Sequence, residues 1–243
     1  MSPLAAIARN ALRAAGHLAC EVTWPTRCCV CERAGCALCA SCEGSLPYLD
    51  RWTACPTCGA AFGAVQCTEC CPQRLAALGR EALPFAGCAS AVRFDARTGR
   101  IVRVYKDLGE QRLALDMARL MARAVPPEWR ADAIAFVPAS REALTRRGFD
   151  HAELLACALS SLMKLPVCAA LDRPRAHDQR KLGRAARVSN LASALRAHPS
   201  ACQGRSLLLA DDVMTTGSTL CAAADTLLEA GAGTVRALTF ARV

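Results

Sequence analysis

Residues 207–219 read Leu-Leu-Leu-Ala-Asp-Asp-Val-Met-Thr-Thr-Gly-Ser-Thr, and the fold is decided there. Residues 206–210 make an apolar run short enough for a buried strand. Two adjacent acids, Asp211 and Asp212, follow. A turn of Val213, Met214, Thr215, Thr216, Gly217, Ser218 and Thr219 comes next, and helical period resumes at Leu220. The unit is strand, loop, helix. Backbone N–H groups at the helix start, with the helix dipole behind them, suit an anion such as phosphate. The four hydroxyls add donors, and Gly217 allows close approach of the backbone. The two acids would repel a phosphate, but they suit hydroxyl groups or a metal that bridges to the ligand. A sugar phosphate offers both partners. The plainer alternative is an ordinary strand-to-helix turn with capping hydroxyls; the ordered combination favours the ligand.

At 243 residues the chain can hold one α/β domain and a small appendage. It has no apolar run of about 18 residues, so no membrane span is expected. Arg9, Asn10 and Arg13 interrupt the alanine-rich start, which reads as an amphipathic helix over residues 1–20 rather than a signal peptide. Without a secretion signal, the 17 cysteines point to metal sites in a reducing cytoplasm rather than to disulfides.

Four Cys-x-x-Cys pairs lie in residues 21–72: Cys28/Cys31, Cys39/Cys42, Cys55/Cys58 and Cys67/Cys70. A two-residue gap lets both thiolates turn onto one metal, and four thiolates complete a tetrahedral Zn²⁺ shell. Two structural zinc sites are therefore expected. Pairing first with second and third with fourth is the linear solution; a cross-braced pairing is equally compatible with the spacing. The segment has too few large apolar residues for a core of its own, so metal would hold it together. Cys88, Cys157, Cys168, Cys202 and Cys221 occur singly in apolar surroundings and read as small core residues.

The formal charge of +9 treats every cysteine as neutral. Eight thiolates and two Zn²⁺ would bring it to about +5. Charge distribution says more. Seven basic residues between Arg173 and Arg196 face one acid, Asp178, and this block reads as a loop that closes over a ligand.

From residue 85 the pattern alternates. Strands are expected at residues 88–94, 133–137, 166–171, 206–210 and 234–240. Helices are expected at 98–108, 111–124, 149–163 and from Leu220. Such alternation gives a mainly parallel sheet with helices on both faces, and ligands bind at the carboxyl ends of its strands. The turn at Pro138, with Arg141, falls at such an end. So do Arg146 and Arg147 before Gly148. Basic residues there could clamp a diphosphate.

Residues 207–219 resemble the phosphoribosyl-pyrophosphate loop of type I phosphoribosyltransferases. Three further features narrow the resemblance: the cysteine pairs, the Val137-Pro138 to Ala156 stretch with Arg146-Arg147-Gly148-Phe149 inside it, and Gln179 to Asn190. Together they resemble the ComF family, over nearly the whole chain after Cys28. Asp150-His151 stands where that family often has Asn-Gln. The resemblance implies residues 21–72 as a double zinc-binding module and 85–243 as a phosphoribosyltransferase-like domain. It implies phosphoribosyl pyrophosphate with Mg²⁺ as ligand, with Asp211 and Asp212 on the ribose hydroxyls, residues 213–219 on the 5-phosphate, and Lys106, Pro138, Arg141 and Arg146 near the diphosphate. It also implies a link to DNA uptake and natural transformation, with single-stranded DNA and uptake-machinery proteins as partners. Two rival readings use the same pocket: a transferase that releases pyrophosphate, and a protein that binds a nucleotide or single-stranded DNA without turnover. Nothing in the sequence names an acceptor.

Overall fold

A computed structural model describes residues 25–77, 79–173 and 195–243. The amphipathic helix expected over residues 1–20, and the basic block from Arg175 to Arg187, lie outside the described residues. The chain divides into two compact units, Met1–Ser45 and Leu46–Val243. The division falls inside the cysteine-rich segment, so the second cysteine group belongs to the larger unit.

In the smaller unit an isolated bridge joins Arg27 to Ala34, and a short helix, α1 (Ala40–Gly44), follows Cys39. In the larger unit the elements run α2 (Pro72–Ala77), β1 (Cys88–Arg93), α3 (Ala96–Lys106), α4 (Leu113–Ala124), β2 (Ala133–Phe136), α5 (Arg141–Arg147), α6 (His151–Met163), β3 (Val167–Cys168), β4 (Leu171–Asp172), β5 (Arg196–Ala197), α7 (Pro199–Cys202), β6 (Ser206–Met214), α8 (Ser218–Glu229) and β7 (Thr234–Arg242). Five strands form one parallel sheet in the order β1-β7-β6-β2-β3. The strand expected over 166–171 is two pieces. Val167–Cys168 joins the main sheet, whereas Leu171–Asp172 pairs antiparallel with Arg196–Ala197.

Alternation along β6 sends successive side chains to opposite faces. Leu207 and Leu209 enter a core with Leu220, Cys221, Ala224 and Leu227 of α8. Leu208 and Ala210 face the other way, where α4 and α6 pack on each other and on the sheet. Leu207, Leu208 and Leu209 are fully buried, and each burial contributes about 2 kcal/mol. Cys55, Cys58, Ala60 and Cys88 belong to the α8-side core. Residues 47–49 also run antiparallel along β1, with Arg93 N–H donating to the Pro47 carbonyl at 2.8 Å. The second cysteine group is thus built into this domain.

One register detail makes the cleft. β2 and β6 pair only as far as Phe136 opposite Ala210, while β6 and β7 continue to Met214 opposite Arg242. Beyond Ala210, β6 outruns its neighbour on the β2 side. The strand therefore carries Asp211 and Asp212 itself rather than ending before them.

Candidate functional site at the carboxyl edge

The space past the end of β2 is a cleft of about 460 Å³. One wall is the turn at Val137–Ser140 with Ala143 and Arg147 of α5. The floor is Asp211, Asp212 and Val213, flanked by Lys106, His151 and Arg173, and Thr215 and Thr219 form the far rim. Of the residues singled out from sequence, Lys106, Pro138, Asp211, Asp212, Val213, Thr215 and Thr219 line this cleft. Met214 is buried beneath it. Arg141 and Arg146 are exposed on α5 and are not among the lining residues.

Lys106 closes α3, whose start is fixed by a capping box between Asp95 and Thr98. Its Nζ lies 2.8 and 3.1 Å from the two Asp212 carboxylate oxygens. Burial would push Asp212 up, but the Lys106 charge and hydrogen bonds hold it below the ordinary carboxylate range. Asp211 goes the other way: burial and the neighbouring Asp212 carboxylate raise it. One carboxylate is charged and paired, and the other tends to keep its proton until a donor or cation arrives. Two carboxyl groups with opposed shifts can accept and donate to vicinal hydroxyls.

His151 is buried. Burial, then the charge of Lys106, pulls it down to about 4, so the ring is neutral. Arg147 Nη1 lies 3.3 Å from its Nδ1. A guanidinium only donates, so Nδ1 accepts and Nε2 carries the hydrogen. Arg147 Nη2 also contacts Asp107 at 3.1 Å. The Nε atoms of Arg147 and Arg173 are buried and have no partner among the described residues. Two cations with unused donors at one cleft suit an anionic ligand.

Asp150 orders this wall. It caps α6 by accepting from Ala152 and Glu153 N–H, and its other oxygen accepts from Ala139 N–H at 2.8 Å. The 138–140 turn is thereby tied to the helix that presents His151. Arg147, His151 and Arg173 were not picked out individually from sequence. Ser140 caps α5, and on that helix Ala143 and Arg147 line the cleft while Arg146 is exposed. That cap was the available signal.

Across the cleft, Gly217 has φ +77°, and a Cβ there would lie 2.7 Å from Met214 Cε. The backbone conformation requires glycine, and an added side chain would also push on the Met214 methyl. Thr216 and Ser218 hydroxyls contact each other at 2.9 Å at the start of α8. Behind the loop stands Arg242, buried at the end of β7. Its Nη1 donates to the Thr215 carbonyl at 2.8 Å and the Met214 carbonyl at 3.3 Å, and also to that of Val243. Its Nε donates to the Cys58 carbonyl at 3.3 Å.

The cysteines form two groups, Cys28/Cys31/Cys39/Cys42 and Cys55/Cys58/Cys67/Cys70, each with its sulfurs within 4.8 Å of one another. The pairing is the linear one. The Cys31–Cys39, Cys55–Cys70 and Cys58–Cys67 sulfurs are 3.6, 3.6 and 3.5 Å apart. A disulfide needs about 2.0 Å. A tetrahedral zinc with about 2.3 Å bonds spaces its sulfurs at roughly 3.8 Å. Burial, then the neighbouring thiols, pushes Cys58 up to about 12, a crowding that a dication offsets. Each group could hold zinc.

This sheet, with paired acids and a hydroxyl turn at its carboxyl edge, defines a phosphoribosyltransferase-type domain, here joined to cysteine-rich segments that could hold metal. Residues 144–243 match the phosphoribosyl transferase domain family. The chain is 30% identical over 220 residues to the DNA utilization protein YhgH of Salmonella typhi, covering 82% of this chain and 94% of that one. It is 33% identical over 193 residues to the Shigella flexneri protein of the same name, covering 76% and 82%. The chain belongs to the ComF family. Two solved structures are similar at a lower level. Glutamine phosphoribosylpyrophosphate amidotransferase from B. subtilis is 19% identical, with TM-score 0.40 over 52% of this chain and 26% of that one. Adenine phosphoribosyltransferase from Thermoanaerobacter pseudethanolicus is 15% identical, with TM-score 0.37 over 56% and 84%.

Proposed function

We propose that this chain binds phosphoribosyl pyrophosphate in the carboxyl-edge cleft and acts in the cytoplasmic handling of incoming DNA. The observation that carries the ligand is the Asp211–Asp212 pair, with opposed protonation tendencies, set between the 215–219 turn and the basic wall of Lys106, Arg147 and Arg173. The 5-phosphate sits on the backbone and hydroxyls of Thr215 to Thr219, at the start of α8. Asp211 and Asp212 take the ribose hydroxyls. The diphosphate meets the 138–140 turn, Lys106, Arg147 and Arg173, with Arg141 and Arg146 outside the immediate lining.

Mg²⁺ fits as a passenger of the diphosphate. The nearby donors are two carboxylates and an imidazole, and Lys106 already occupies Asp212, so most of the ion's oxygen ligands come from substrate and water. When bound, it neutralises the leaving diphosphate. The chain's own residues hold the ribose, exclude water along the Val137–Ala139 wall, and keep His151 neutral beside the reacting sugar. The chemistry this suits is displacement of pyrophosphate by a nitrogen nucleophile, with catalysis by positioning and charge stabilisation.

The DNA role rests on the relatives, which are named for DNA utilization. Single-stranded DNA is the partner proposed, with uptake-machinery proteins alongside. Zinc fills both cysteine groups. Release of pyrophosphate from phosphoribosyl pyrophosphate, across a panel of bases and amines, tests the transferase. Binding without release in every case would make the chain a ligand-gated binder instead.

A further inference from the structure

Arg242 is a cation with few reasons to be buried unless it connects things. Removing a guanidinium from water costs several kcal/mol unless its donors are satisfied. Apart from the bond to the neighbouring Val243 carbonyl, the donors here are divided between two structures. One side holds the carbonyls of Met214 and Thr215, where β6 turns into the 215–219 loop. The other side holds the carbonyl of Cys58, and Glu69 lies 4.0 Å from Nη2. Cys58 is a member of the second cysteine group, and Glu69 sits between two others, Cys67 and Cys70. The segment is tightly fitted: a Cβ on Gly63 would come within 2.6 Å of Cys55 Cβ, and one on Gly59 within 3.2 Å of the Cys88 carbonyl. A second cavity of about 400 Å³ lies behind the loop, between Glu69, Arg74, Thr215, Thr216, Arg242 and Val243. Besides Val243, whose N–H donates to the Met214 carbonyl at 3.1 Å, the support behind the start of the loop is this arginine.

We propose that Arg242 is a positioning residue through which metal held by Cys55, Cys58, Cys67 and Cys70 orders the 215–219 loop. A metal fixes the Cys58 carbonyl and the Glu69 carboxylate. They fix the guanidinium, and the guanidinium fixes the carbonyls of Met214 and Thr215. Loss of the metal frees the two anchors, and the loop loses its preformed shape. The inference rests on the proposed zinc occupancy, and its consequence for ligand affinity rests on the proposed phosphate site.

Hydrogen exchange on the full chain without ligand tests it. Cys67→Ser with Cys70→Ser releases the second metal, and Cys28→Ser with Cys31→Ser releases the first; zinc content verifies each. The expected result is exchange about tenfold faster at Cys221 and Val243, whose N–H groups donate to the Gly217 and Met214 carbonyls, on loss of the second metal and unchanged on loss of the first. Residues 208–210 of β6 stay protected throughout. Arg242→Lys, which keeps the charge but not the fork, gives the same acceleration with both metals retained, and removing the second metal from it adds nothing. Equal protection with and without the second metal overturns the proposal. So does equal acceleration from losing either metal, or acceleration at 208–210 as well, since both mark general loosening. Because no ligand is present, a chain that failed to bind phosphoribosyl pyrophosphate would sink the proposed function and leave this result standing.

Discussion

Lys106 and Asp212 carry the electrostatics of the cleft. Asp212 is buried and Lys106 partly so; removing one partner strands the other. Lys106→Met should cost about 2 kcal/mol at pH 7 by urea unfolding, and adding Asp212→Asn should recover most of it. No recovery would mean that the pair is not what Asp212 depends on. His151 sets a pH dependence whose sign follows from its lowered value. The folded ring titrates near 4 and an unfolded one near 6.5. Between those values the unfolded chain binds the proton first. The contribution of His151 is therefore complete above about 6.5 and lost as pH falls to about 4, on the order of 3 kcal/mol. Asp211 runs oppositely: its raised value favours the fold most at acid pH and fades as pH rises. The difference in unfolding midpoint between wild type and His151→Gln should be constant above about pH 6.5 and shrink as pH falls towards about 4. Parallel curves would remove His151 from this account.

At the scale of elements, the cleft depends on where β2, β6 and the 215–219 turn stop. Gly217→Ala forces a side chain into φ +77° against Met214 and should cost about 1–2 kcal/mol. Trimming Met214 relieves the contact but not the backbone, so the double variant should recover less than half. Asp150→Ala removes a cap and the tie to Ala139, an expected loss of about 1–2 kcal/mol by thermal unfolding; Asp150→Asn should lose less. Sequence pattern carried the alternation of strands and helices because Leu207–Leu209, Ile134 and Leu155 obey strong periods. It did not carry the end of β6. Acids at 211 and 212 look like a strand terminus, yet β7 continues the ladder beside them. It did not carry α5 either. Arg141–Arg147 is short and charged, with no apolar stripe, and only Ser140 marks its start. Arg147 therefore went unseparated from Arg146. Which of two adjacent arginines enters a cleft is a matter of helix phase, and phase needs the cap.

For the whole molecule, spacing named the eight cysteines of the two clusters but left their pairing open, because pairing is set by how segments pack. Packing of Cys55 and Cys58 against β1 and α8 ties the second group to the larger domain. Single-stranded DNA affinity should fall steeply with salt, as contacts to several phosphates require; a flat response between about 50 and 200 mM salt would remove DNA as a direct partner. The central claim is the ligand. Calorimetric titration of the zinc-loaded chain with phosphoribosyl pyrophosphate and Mg²⁺ should give one site per chain. Asp211→Ala combined with Asp212→Ala should weaken that site by at least about tenfold while the fold is retained. A flat titration of wild type, or equal affinity in the double variant, would contradict it.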